Sequence, residues 1–170
     1  MRPLVPALLL ALTLQAASAA SAAPPQPADL FDFWIGDWQV TWKNSDGSVG
    51  RARNHVSRIL DGRVIEEQFE QVSTAGAAPQ LKGRSLSVRD ASGQWRQSWA
   101  DNQGGFFAFT GSVEGDKRLF STAFSAVGDE VKAQRMVFHD IAKDGFTWDW
   151  EGTTDGGKTW KLLWQLDYRR

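Results

Sequence analysis

Phe31-Asp32-Phe33-Trp34-Ile35-Gly36-Asp37-Trp38-Gln39-Val40 is the stretch whose reading decides the fold. Asp29 stands in an N-cap position, and Leu30 to Ile35 supply one apolar turn or two of helix. Gly36 ends that helix. Beyond it the apolar residues alternate, so Trp38, Val40 and Trp42 share one face of a strand. A short helix feeding a strand with a Trp-bearing face is the expected start of the folded chain.

Downstream, turn signals recur every eight to fourteen residues. They are Asn44 to Gly47, Asp61-Gly62, Ser73 to Pro79, Ala91 to Gly93, Asn102 to Gly105, Glu114 to Asp116, Gly128-Asp129, Lys143 to Gly145 and Asp155 to Gly157. Runs rich in Val, Ile, Thr, Phe and Trp lie between them, which is the pattern of an all-β barrel or sandwich. Nine breaks give ten strands, and hairpin-sized connections favour an up-and-down antiparallel barrel. The Ala91-Ser92-Gly93 loop suits a type I turn with Gly93 left-handed, which sets Asp90 opposite Gln94. Ser87 then faces Gln97, Ser85 faces Trp99 and Gly83 faces Asp101. Gly83, Ser85, Ser87, Trp95, Gln97, Trp99 and Asp101 are expected to point inward.

Upstream, residues 1–23 read as a signal peptide. Met1-Arg2 is a minimal basic region, Leu4 to Leu14 an apolar run, and Ala17 to Ala22 offers small-residue cleavage sites. The run is too short to span a bilayer, which takes about 20 apolar residues. Residues 24–28 read as an exposed linker, and 29–170 as a single barrel domain. The chain has no cysteine, hence no disulfide and no lipid-attachment site. A periplasmic or secreted monomer without a membrane span is expected. The net charge of −1, with no long run of one sign, excludes nucleic acid as the main partner. Nine Trp and ten Phe against one Tyr supply large apolar faces to fill or line a cavity.

Thr153 to Trp160 resembles the Asp-box of sialidase-like propeller proteins, a turn device without catalysis. A three-residue Asp155 to Gly157 loop would set Trp150 opposite Leu162, Trp148 opposite Trp164 and Phe146 opposite Leu166. Glu151 would then pair with Lys161.

A longer resemblance joins these motifs. Phe33 to Trp38, Gly83 to Leu86, Gln94 to Asp101, Gly104 and Gly111, Trp150-Glu151, Asp155 to Trp160 and Tyr168-Arg169-Arg170 occur in that order. The chain resembles the DUF1579-like family of exported bacterial lipocalin-like (calycin-type) proteins over nearly all of residues 29–170. The resemblance implies a barrel with a central cavity, one end plugged by the short helix, and no particular reaction. It also implies that an arginine from the final strand covers Trp38. Arg169 is expected there, since Arg170 would fray. Ser87 stands where the family pattern carries Asn, which implies extra room beside Gln97.

Glu67 alternates with Ile65 and Phe69, so it faces inward with them. Together with Ser85, Ser87, Gln97 and Asp101 it forms an expected polar patch on an aromatic wall that includes Trp99, Trp148 and Trp150. The function this favours is binding of a small apolar or amphipathic molecule, with no cofactor, metal or catalytic residue assigned. The alternatives are an enzyme using Glu67 or Asp101 as general acid-base, and a filled barrel that docks a protein on its rim. His55 and His139 lack the spacing for zinc and are not placed as haem ligands. Ser85, His139 and Asp101 make no hydrolase triad, because no nucleophile elbow surrounds any serine.

Overall fold

The computed structural model describes residues 24–72 and 80–170. The expected signal peptide and the turn at residues 73–79 lie outside the described residues. Among the described residues eleven strands form: β1 Gly36–Lys43, β2 Val49–Ile59, β3 Val64–Gln71, β4 Lys82–Arg89, β5 Trp95–Asp101, β6 Phe106–Glu114, β7 Lys117–Ser121, β8 Ser125–Val127, β9 Glu130–Ala142, β10 Gly145–Thr153 and β11 Lys161–Arg169. From β1 to β7 each strand pairs antiparallel with the next. β7 pairs with β9, β9 with β10 and β10 with β11, and β11 returns to β1. Ten strands therefore close an up-and-down barrel in which each strand pairs on both sides. No helix among the described residues is long and apolar enough to cross a membrane.

The segment expected as one seventh strand, Lys117 to Val127, is divided. At Thr122 the hydroxyl accepts the Gln134 amide at 3.0 Å, the bond a backbone carbonyl makes in a continuing ladder. The chain then leaves the ring, and β8 forms a separate hairpin on the start of β9.

The stretch before Gly36 is shorter in structure than expected. It makes one 3-10 turn, Asp32–Trp34, with no side-chain cap, and Asp29 contributes its carbonyl rather than its carboxylate. Six residues are too few to repay α-helix nucleation, and burial fixes the turn instead. Phe31 stacks on Phe120 at 4.2 Å and meets Trp95 edge-on at 5.3 Å. Trp34 lies against Phe138. Residues 24–28 are mostly exposed but bonded to the barrel. The Gln26 side chain donates to the Gly111 carbonyl and accepts the Trp95 amide, while the Pro27 carbonyl accepts the Trp95 indole N–H.

Trp38, Val40 and Trp42 share the buried face of β1. The Trp38 indole donates to the Trp34 carbonyl at 2.8 Å. Arg170, not Arg169, covers it, with the guanidinium carbon 4.4 Å from the ring centroid. Tyr168 points inward, so alternation turns Arg169 out and brings Arg170 back. Bonds from Arg170 to the Ile35 and Asp144 carbonyls offset the expected fraying. Gly36 makes the approach possible: its φ is +143°, and a Cβ there would lie 3.3 Å from the guanidinium. Arg170→Ala is expected to lower stability by about 0.5–2 kcal/mol and shift Trp38 emission. Arg169→Ala should leave that emission unchanged. Denaturant titration followed by tryptophan fluorescence checks both.

The β4–β5 register is as the loop dictates, with Gly83 opposite Asp101, Ser85 opposite Trp99 and Ser87 opposite Gln97. The last hairpin is not. Trp148 pairs with Leu166, Trp150 with Trp164 and Phe146 with Tyr168, a shift of two that preserves the face. The loop is longer because Asp155 organises it: its carboxylate accepts from the Thr153 hydroxyl and from the Thr159 amide and hydroxyl. A bulge after Trp150 then aligns Glu151 with Leu162, and Glu151 takes Arg135 at 2.6 Å instead of Lys161. Trp160 packs under Arg135 at 4.1 Å.

β1 and β11 join over three paired positions, against eight between β1 and β2. Past Thr41 this seam continues as side chains, with Trp42 and Trp164 edge-to-face at 5.2 Å.

Candidate functional site

Alternation along β3 buries Ile65, Glu67 and Phe69 together, so Glu67 enters the barrel with only 6% of its surface exposed. A carboxylate there must find donors or lose its charge. Its two oxygens have one donor each: the Ser85 hydroxyl on β4 at 2.7 Å and the Asn54 amide on β2 at 2.8 Å. The same Asn54 nitrogen reaches the Tyr168 hydroxyl on β11 at 3.3 Å. Burial pushes the Glu67 carboxyl up to about 7 against the opposing pull of these two bonds. Tyr168 is raised well above a normal phenol by burial and by the Glu67 charge, and stays neutral.

Glu67 lies at the base of a cavity of about 210 Å³. The wall is almost wholly apolar. Trp148 and Trp150, two apart on β10, stack with planes 4° from parallel. Trp164 meets Trp148 edge-on at 6.0 Å, and Phe69 bridges Trp164 to Trp99. Phe107 and Phe109 close the ring against Trp150. Leu81, Met136 and Leu166 fill between the rings. A cavity of this size explains why Trp99, Phe107, Trp148, Trp150 and Trp164 are only partly buried: each meets another ring on one side and the space on another.

Asp101 also borders the cavity, but in a different role from Glu67. Desolvation raises its carboxyl, and hydrogen bonds from the Trp99 indole and the Gly105 and Gln103 amides outweigh it, leaving the pKa below normal. Asp101 is thus an ionised turn organiser at the open end. A raised pKa there, which the acid-base alternative requires, does not occur. Gly83 lets Trp99 lie flat at this end, since any Cβ would occupy the indole's place.

Of the expected site residues, Glu67, Trp99, Asp101, Trp148 and Trp150 line the cavity. Ser85 stands behind Glu67 as its donor. Ser87 and Gln97 do not line it: they sit a layer deeper, where Gln97 donates to the Ser87 hydroxyl at 2.9 Å. The room beside Gln97 is taken up by that bond. Asn54 and Tyr168 were not among the expected residues. Ala52, Asn54 and Val56 alternate with Arg51, Arg53 and His55, so the pattern that placed Glu67 inward places Asn54 inward too. His55 pairs with Asp37, and His139 lies between Asp140 and Asp149, both away from the cavity. Among the described residues no three His, Cys, Asp or Glu side chains gather to hold a metal.

Fold and cavity together define a closed antiparallel β-barrel with an internal, aromatic-walled space and one buried carboxyl at its base. A scan against protein-family models finds no match, and a search of curated proteins finds none.

Proposed function

We propose that the protein is an exported, lipocalin-like binding protein of the DUF1579-like kind, which holds a small apolar or amphipathic molecule in the barrel. The cavity carries this reading. An apolar space of about 150 Å³ accepts benzene, so 210 Å³ suits a molecule of one or two rings. Convergence of a few polar groups on an apolar wall is the usual make-up of a ligand site. A barrel packed solid to serve only as a docking surface would have no such space. Export is supported by the apolar run from Leu4 to Leu14 and the alanine-rich cleavage sites after it. Pairing of all ten barrel strands on both sides supports a monomer.

A second reading draws on Glu67 alone: a carboxyl near neutrality suits proton transfer. Among the described residues no Lys, Arg, His or Cys lines the cavity beside it, so binding is the simpler use of the site.

Solvent extraction of the purified protein, followed by mass spectrometry, should release one small apolar or amphipathic compound in stoichiometric amount. Saturating indole should raise the thermal unfolding midpoint of the emptied protein, because a ligand that binds only the folded state stabilises it. An empty extract with an unmoved midpoint would end the carrier reading.

A further inference from the structure

The chemistry of the cavity narrows the ligand class, on the assumption that the barrel is a carrier. Among the described residues its ionisable wall groups are Glu67, Asp101 and the neutral Tyr168, with no Lys, Arg or His. Both charged positions are therefore acidic. We propose that the cavity takes an organic cation, an ammonium or quaternary amine on an apolar body of one or two rings.

Three observations support this. Indole faces attract cations, and four tryptophans border the cavity: Trp99, Trp148, Trp150 and Trp164. Trp148, Trp150 and Trp164 are only half-buried, so indole surface is left uncovered along this wall. Second, Glu67 has unused acceptor capacity. An ionised carboxylate offers about four lone-pair positions, and Ser85 and Asn54 occupy two. An ammonium N–H would fill a free position, and any cation seated above Glu67, a quaternary one included, would supply the counter-charge that a buried carboxylate otherwise lacks. Third, an anionic ligand would be placed between Glu67 and Asp101 with no cationic group to receive it.

The pH dependence follows from the groups around Glu67. Asn54 from β2 and Ser85 from β4 do not titrate. Tyr168 from β11 is held neutral, and Asp101 from β5 is held ionised. Glu67 is then the group in this set that changes charge between pH 5 and 8. A permanently charged ligand favours its ionised form, so affinity rises with pH and levels off above about 7.

Phenyltrimethylammonium and tert-butylbenzene have the same shape and differ by one charge. Both would be titrated into the emptied protein at pH 5 and pH 8, with intrinsic tryptophan fluorescence as the readout. At pH 8 the cation is expected to bind about tenfold or more tighter than the hydrocarbon. The preference should shrink at pH 5, and in Glu67→Gln at pH 8. If that variant does not fold, the pH contrast in the unaltered protein decides the same point. Equal or tighter binding of tert-butylbenzene would overturn the cation assignment and leave the carrier reading standing. A cation preference unaffected by pH would also overturn it, because Glu67 would not be the counter-charge. No response to either compound would overturn the cation assignment, while the extract and the indole midpoint decide the carrier reading separately.

Discussion

Phe31→Ala is expected to cost the fold about 3–5 kcal/mol, the range for removing a fully buried aromatic side chain. Phe31 has no exposed surface, and its ring contacts three strands at once: Trp95 on β5, Phe120 on β7 and Phe138 on β9. Those strands cannot close over the gap without giving up their ladders, so little relaxation is available. Gly111 shows how tight the region is: a Cβ there would meet Trp95 at 2.7 Å and Phe31 at 3.4 Å. The measurement is urea unfolding followed by circular dichroism. A loss below about 1 kcal/mol would mean that the barrel interior does not depend on this turn.

Glu67→Gln should act in the other direction above neutral pH. In the unfolded chain the carboxyl titrates near 4.5, and in the barrel near 7. The folded state therefore holds the proton more tightly. The stability this gives is complete below pH 4.5, is lost as pH rises toward 7, and stays lost above it. Glutamine keeps the shape, can accept from Asn54, and carries no charge at any pH. The variant should thus exceed the parent above pH 7 by up to about 3 kcal/mol, with the difference fading toward pH 4.5. Unfolding midpoints of the two proteins across pH 4 to 8 check this. Parallel curves would show that Glu67 keeps an ordinary pKa in the barrel.

The two variants also separate what the amino-acid pattern discloses from what it leaves out. Face parity was legible throughout. Trp38, Val40 and Trp42 had to share a side, and Glu67 had to follow Ile65 and Phe69. One register was legible as well, because Gly93 at φ +83° fits a loop of known length and pins β4 to β5. The last register was not, since its loop length is set by side-chain bonds of Asp155 to Thr153 and Thr159. Parity also says nothing of depth along the barrel. Ser87 and Gln97 point inward like Ser85, yet lie below the cavity, where the Gln97 amide donates to Ser87 and its Oε1 has no partner. Tyr168 reaches toward Glu67 only because β11 closes on β1, a juxtaposition that depends on the whole ring. Arg170 shows the same limit from another side. Alternation after Tyr168 favoured it, but the carbonyls that hold it belong to Ile35 and Asp144, remote in sequence.

The short join between β1 and β11 has a kinetic meaning. Beyond Thr41 the wall at this place is two indoles, Trp42 and Trp164, rather than a hydrogen-bonded ladder. Widening it takes the rotation of side chains and breaks no backbone bond. Trp42 is buried and Trp164 half-buried, so their rotation is slower than the roughly picosecond-to-nanosecond flips of exposed side chains. It does not require the local unfolding that takes roughly microseconds to seconds. Opening at this part of the wall is therefore decoupled from global unfolding. A substitution that strengthens the ladders elsewhere would slow global unfolding without stiffening this seam.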